Sequence, residues 1–86
     1  MPRTAEDAQV TVRYWAAARE AVGQDSDVVT GCATVGAVVD EVTSRHPALA
    51  RVAAVSSLLL DGRATGRDAP VSDGAVVEVL PPFAGG

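Results

Sequence analysis

Val35, Val38, Val39 and Val42 stand at the i, i+3, i+4, i+7 spacing that draws one apolar stripe down a helix, and Asp40, Glu41 and Arg45 fall off that stripe. Thr34 precedes the stripe as an N-cap, and His46-Pro47 closes it. Valine is a poor helix former, so a helix built on four of them owes its stability to what it packs against. The flanking sequence supplies strands for that purpose. Over residues 9–15 the pattern alternates, with Val10, Val12 and Tyr14 on one face and Thr11, Arg13 and Trp15 on the other. This is the period-two signature of a half-buried strand. The chain is thereby constrained to lay one amphipathic helix across a sheet.

The remaining segments fit around that constraint. Ala16–Val22 is alanine-rich and followed by Gly23, which predicts a short helix or helical turn. Residues 27–30 carry paired β-branched side chains and predict a second strand returning beside the first. Residues 48–55 predict a loose helical turn, Ser57–Leu60 a buried strand ended by the turn signal Asp61-Gly62, and Arg63–Thr65 a short edge strand. After Ser72-Asp73-Gly74, residues 75–80 predict the last strand, with Val77 and Val79 toward the core and Val76, Glu78 and Leu80 on the opposite face. A strand pair, one crossing helix and further strands make the order of an α+β, ubiquitin-like β-grasp domain. Its mixed sheet places the last strand centrally, beside the first.

Composition narrows the function classes. Eighty-six residues suit a single domain, residues 1–86, able to bury roughly 60–70% of the surface its unfolded chain exposes. At 48% hydrophobic the chain is too apolar for disorder, yet no apolar run is long enough to span a membrane. Residues 1–8 lack the apolar segment of a signal peptide, so a flexible leader on a cytoplasmic protein is expected. Net charge is −4, and the seven basic residues are all arginines, scattered along the chain. No basic stripe exists for nucleic acid, and a mildly acidic surface favours a basic protein pocket instead. Cys32 is the single cysteine, which excludes an internal disulfide; it reads either as a thiol activated by a helix start or as a small buried hydrophobe. His46, before Pro47, reads as a helix terminator. No nucleophilic or metal-ligand set assembles, so neither a self-contained active site nor a bound cofactor is expected.

The chemistry is concentrated at the end of the chain, Leu80-Pro81-Pro82-Phe83-Ala84-Gly85-Gly86. Each proline lacks the N–H that would extend a sheet ladder, so the last strand ends there and residues 81–86 are expected to leave as an exposed tail. Gly85 and Gly86 have no Cβ and can thread a passage too narrow for side chains, presenting the Gly86 carboxylate as the working group. Residues 82–86 reach at most about 16 Å, roughly the depth of an enzyme cleft. Trp15 and Leu80 fall on strand faces expected to be solvated. Together with Phe83 they predict an apolar partner-docking patch beside the root of the tail.

These residues resemble a known family. Val12-Arg13-Tyr14-Trp15-Ala16-Ala17-Ala18-Arg19-Glu20, then Gly23, resembles the opening of the MoaD/ThiS-type sulfur carriers, closest to MoaD, the small subunit of molybdopterin synthase. Asp73-Gly74 through Gly85-Gly86 resembles the same family's closing block, and Thr34-Val35 and Leu60-Asp61-Gly62 fall in register. Trp15 stands where the family commonly has phenylalanine, and Asp61 where it often has asparagine. The resemblance implies that a ThiF/MoeB-type adenylating enzyme, using ATP and Mg²⁺, converts the Gly86 carboxylate to an acyl-adenylate. Sulfur, delivered by way of a sulfurtransferase, then replaces AMP to leave a thiocarboxylate. It further implies that the tail, Pro81, Pro82, Phe83, Ala84 and Gly85 with Gly86 at its tip, inserts into a MoaE-like large subunit, where the carrier donates sulfur to a pterin precursor in molybdenum cofactor biosynthesis. The carrier on this reading is a non-catalytic, sulfur-donating subunit. A carrier for thiamine, cysteine or tRNA thiolation, a ubiquitin-like protein modifier, and an inert β-grasp interaction module are the alternatives.

Overall fold

The computed structural model describes residues 8–82. Its elements run β1 (Gln9–Tyr14), α1 (Ala16–Val22), β2 (Ser26–Thr30), α2 (Val35–Arg45), α3 (Leu49–Ala54), β3 (Ser57–Leu60), β4 (Arg63–Thr65) and β5 (Val76–Leu80). The strands form one mixed sheet in the order β2-β1-β5-β3-β4. β1 and β5 pair in parallel at its centre, Val12 opposite Val77 and Tyr14 opposite Val79, and every other neighbouring pair is antiparallel. This is the expected β-grasp arrangement, with the last strand central and beside the first. The loose turn expected over residues 48–55 is a regular helix, α3, and Trp15 is the N-cap of α1 rather than the last residue of β1.

The helical stripe does what its spacing dictates. Val35, Val38 and Val42 are fully buried and Val39 nearly so, against Val10, Val12, Val29, Val77 and Val79 of the sheet. Thr34 caps the helix, its hydroxyl oxygen accepting from Ala37 N–H at 3.2 Å. The next donors are taken by the loop before β5: Val35 N–H reaches Ala69 O at 2.9 Å and Gly36 N–H reaches Arg67 O at 2.8 Å. A Cβ on Gly36 would come within 3.2 Å of that same Arg67 carbonyl oxygen. The helix start is thus closed by protein groups.

Asp61-Gly62 turns the β3–β4 hairpin with φ of 50° and 85°, the two positive values a type I′ turn requires. Asp61 is tied down twice, by its N–H to Val76 O at 2.8 Å and by its carboxylate accepting from Val76 N–H at 3.0 Å. Asp61→Ala removes that acceptor and puts a residue less suited to the left-handed region in the turn, so a loss of about 1–2 kcal/mol is expected. Asp61→Asn, which keeps an accepting oxygen, is expected to recover most of it. Urea unfolding of the two variants checks the ranking.

Candidate functional site

β5 leads the chain to Pro81 and Pro82, the last described residues. Val77 and Val79 are fully buried between neighbouring strands and beneath the helices, whereas Val76, Glu78 and Leu80 alternate onto the face that no helix covers and are half-buried there. Pro81 does not belong to an exposed tail, as the sequence suggested. It is buried, continuing the inward-facing register of Val77 and Val79, and exposure begins at Pro82. Phe83, Ala84, Gly85 and Gly86 lie outside the described residues, as does the leader up to Asp7. Ala8, grouped with that leader, is buried and accepts from Gly31 N–H at 3.3 Å.

Trp15 and Leu80 do come together at this end. The register that sets Tyr14 opposite Val79 brings Trp15 level with Leu80, and Trp15 N–H donates to Val79 O at 3.3 Å. Ala16 then turns the chain away from the sheet with φ of 47°, a left-handed conformation that costs a non-glycine residue about 1–2 kcal/mol. The apolar patch is less exposed and more polar than expected. Trp15 is half-buried, its indole N–H donates to Glu78 Oε2 at 2.7 Å, and the Arg13 guanidinium lies over its ring at 4.9 Å from the centroid. Sequence alternation put Arg13 and Trp15 on one face, but the part played by Glu78 depends on the β1–β5 register, which no local pattern carries.

A second polar cluster lies on the helix side of the sheet. Tyr14, nearly buried, donates its hydroxyl to Asp27 Oδ2 at 2.7 Å, His46 Nε2 donates to the same oxygen at 2.8 Å, and Gln24 Nε2 donates to Oδ1 at 2.6 Å. Burial works against the Asp27 charge, but the hydrogen bonds from Tyr14 and His46 outweigh it and hold the carboxyl below its ordinary range. Burial, then the Asp27 hydrogen bond, pushes the Tyr14 hydroxyl far up, so it stays protonated and donating. His46 is the C-cap of α2, as its place before Pro47 suggested. The cluster joins β1, β2 and the end of α2, and its groups are committed to one another.

Cys32 resolves toward the bland alternative. It is half-buried against the core, and burial followed by the nearby Glu41 charge pushes its thiol up, opposite to activation. A cleft of about 550 Å³ between α2, α3, β3 and β4 is lined mainly by small residues, with the Arg67–Asp40 ion pair at 2.7 Å among its walls. It brings together no reactive set. Among the described residues, no group of three His, Cys, Asp or Glu side chains is placed to hold a metal ion, and no helix is long and apolar enough to cross a membrane.

A helix-crossed mixed sheet whose central last strand leads into a terminal diglycine segment defines the ubiquitin-like β-grasp class shared by the MoaD/ThiS sulfur carriers. The chain belongs to the ThiS family, whose model matches residues 12–86. No curated protein is similar enough in sequence to count as a relative. Among solved structures it is similar to SAMP1 from Haloferax volcanii, at 27% identity and a TM-score of 0.80, over 92% of this chain and 100% of that one. It is also similar to a Pyrococcus furiosus protein described as molybdopterin converting factor, subunit 1, at 26% identity and a TM-score of 0.80, over 90% and 100% of the two chains. The Amycolatopsis orientalis BexX/CysO complex contains a third, at 29% identity and a TM-score of 0.73, over 90% and 99%.

Proposed function

We propose that this chain is a cytoplasmic sulfur carrier that serves as the small subunit of molybdopterin synthase. The family match running through Gly86 carries the reading. A carboxylate is a poor electrophile, so the Gly86 oxygen must first attack the α-phosphorus of ATP, releasing pyrophosphate and leaving an acyl-adenylate. Hydrosulfide then adds to the acyl carbon and expels AMP, or the sulfurtransferase persulfide does so and a thiol attacks the resulting acyl disulfide, leaving as a new disulfide. The resulting thiocarboxylate is ionised and nucleophilic at neutral pH, so the carrier needs no base. Gly86 bears the sulfur and Gly85 provides clearance. Pro81 and Pro82 direct the tail, and Trp15, Leu80 and Phe83 seat the body on the partner. The partners are a ThiF/MoeB-type adenylating enzyme, a sulfurtransferase and a MoaE-like large subunit; the ATP and Mg²⁺ belong to the first of these. The similarity to a protein described as molybdopterin converting factor, subunit 1, favours this pathway.

A second reading, a protein modifier whose Gly86 carboxylate ends in an isopeptide bond, is favoured by the equal similarity to a small archaeal modifier protein. Intact mass separates the two after incubation with the adenylating enzyme, ATP and a sulfur donor. Replacement of one oxygen by sulfur adds about 16 Da to the free chain, and that gain is the expected result. Adducts of the chain with other proteins, without the sulfur species, would turn the assignment to the modifier.

A further inference from the structure

Arg13 and Glu78 stand opposite each other on the parallel strands β1 and β5, an arrangement in which opposite charges ordinarily pair. They do not. Glu78 Oε2 is taken by the Trp15 indole N–H at 2.7 Å, and the Arg13 guanidinium lies over the Trp15 ring at 4.9 Å from its centroid. The ion pairs among the described residues use Arg19, Arg45, His46 and Arg67, and none uses the exposed Arg13. A guanidinium lying over a ring keeps the N–H donors along its edge available. The cation is therefore mounted on an aromatic platform, beside a carboxylate that has been given another task, with no anion of its own among the described residues.

Its position limits what it can meet. Four residues follow Pro82, and four extended residues reach at most about 14 Å. An enzyme that receives Gly86 in its reactive centre must rest its surface on the body around the root of the tail, where Trp15, Glu78 and Leu80 lie and Arg13 stands two residues earlier on the same face. A group on that docking surface is the anion that meets Arg13 directly, whatever path the tail takes.

We infer that Arg13 is a specificity-determining contact that reads an Asp or Glu carboxylate on the docking surface of the enzyme that adenylates the tail. The inference rests on the carrier reading. The Trp15–Glu78 hydrogen bond fixes the ring, the ring holds the guanidinium, and the guanidinium fork engages the carboxylate through two parallel N–H donors. Phenylalanine, common in the family at the position of Trp15, has no N–H to make the Glu78 bond, so this device belongs to the tryptophan-bearing chain.

The test is steady-state adenylation of the full chain by the adenylating enzyme of the same organism, followed by pyrophosphate release at 50 and 300 mM salt. Arg13→Glu is expected to raise the KM for the carrier at least tenfold at low salt, with kcat unchanged and the difference shrinking at high salt. Arg13→Lys keeps the charge but not the fork and is expected to raise KM severalfold. Arg51→Glu, the same change of charge at an exposed arginine of α3, is expected to stay within twofold of the parent. Arg13 is exposed, and a thermal melt of each variant verifies that the fold is intact. If Arg13→Glu shows the parent KM at both salt concentrations, the inference fails while the carrier reading stands. If the parent chain itself is not adenylated, the carrier reading fails.

Discussion

Deletion of Gly85 and Gly86 is expected to abolish ATP-dependent loading of the chain completely while leaving its stability within about 0.5 kcal/mol, the usual range for changes away from core, cap or buried polar groups. The two residues carry no side chain and so contribute no apolar side-chain area. The core is already closed by Val77, Val79 and the buried Pro81. What the deletion removes is the pair of residues without a Cβ that the proposed function puts in the partner's reactive centre. A truncated chain ending in Ala84 still has a carboxylate, but its maximum reach is shorter by about 7 Å, the span of two extended residues, and it stands beside a Cβ. A reacting atom misplaced by that distance gains nothing from the partner's preorganised groups. Pyrophosphate release and intact mass measure loading, and urea unfolding measures stability. Retained sulfur loading by the truncated chain would sink the carrier assignment; a large loss of stability would show that the glycines hold the fold.

The fold was more legible in the sequence than the candidate site. The valine stripe and the period-two strands are local patterns, and each was realised in the expected element because burying it is the main source of stability for so small a domain. Exposure starts one residue later than expected, at Pro82. Pro81 ends the ladder, as its missing N–H requires, but its side chain follows the inward register of Val77 and Val79 and is buried, so exposure starts one residue beyond that point. The surface around Trp15 was half legible. Alternation put Arg13 and Trp15 on one face; that Trp15 would spend its N–H on Glu78 requires the parallel β1–β5 register, a contact between residues 63 positions apart. The Tyr14–Asp27–His46 cluster was missed for the same reason. His46 was read correctly as a helix terminator, but its partner lies 19 positions away on an edge strand.

That cluster supplies the second large effect: Asp27→Ala is expected to destabilise the chain by about 2–4 kcal/mol at pH 7, because it strands the Tyr14 hydroxyl without an acceptor and removes the carboxylate that His46 and Gln24 also use. At about 4–8 °C per kcal/mol for a domain of this size, the unfolding temperature falls by roughly 10–25 °C. Tyr14→Phe removes donor and demand together and is expected to cost less, about 0.5–1.5 kcal/mol, and in the double variant part of the Asp27→Ala loss is recovered. The pH dependence follows from the depressed Asp27 carboxyl. Its contribution is complete above the unfolded carboxyl value of about 3.9 and is lost as pH falls through the lower folded value, because only the unfolded state takes up the proton readily in that window. Asp27→Asn, unable to titrate, is expected to flatten this acid limb while leaving neutral-pH stability closer to the parent than Asp27→Ala does. Urea unfolding at pH 7 and pH 3 provides the comparison. An Asp27→Ala chain as stable as the parent at pH 7, or an acid limb that persists unchanged in Asp27→Asn, would show that the cluster does not brace β1 and β2 to the end of α2.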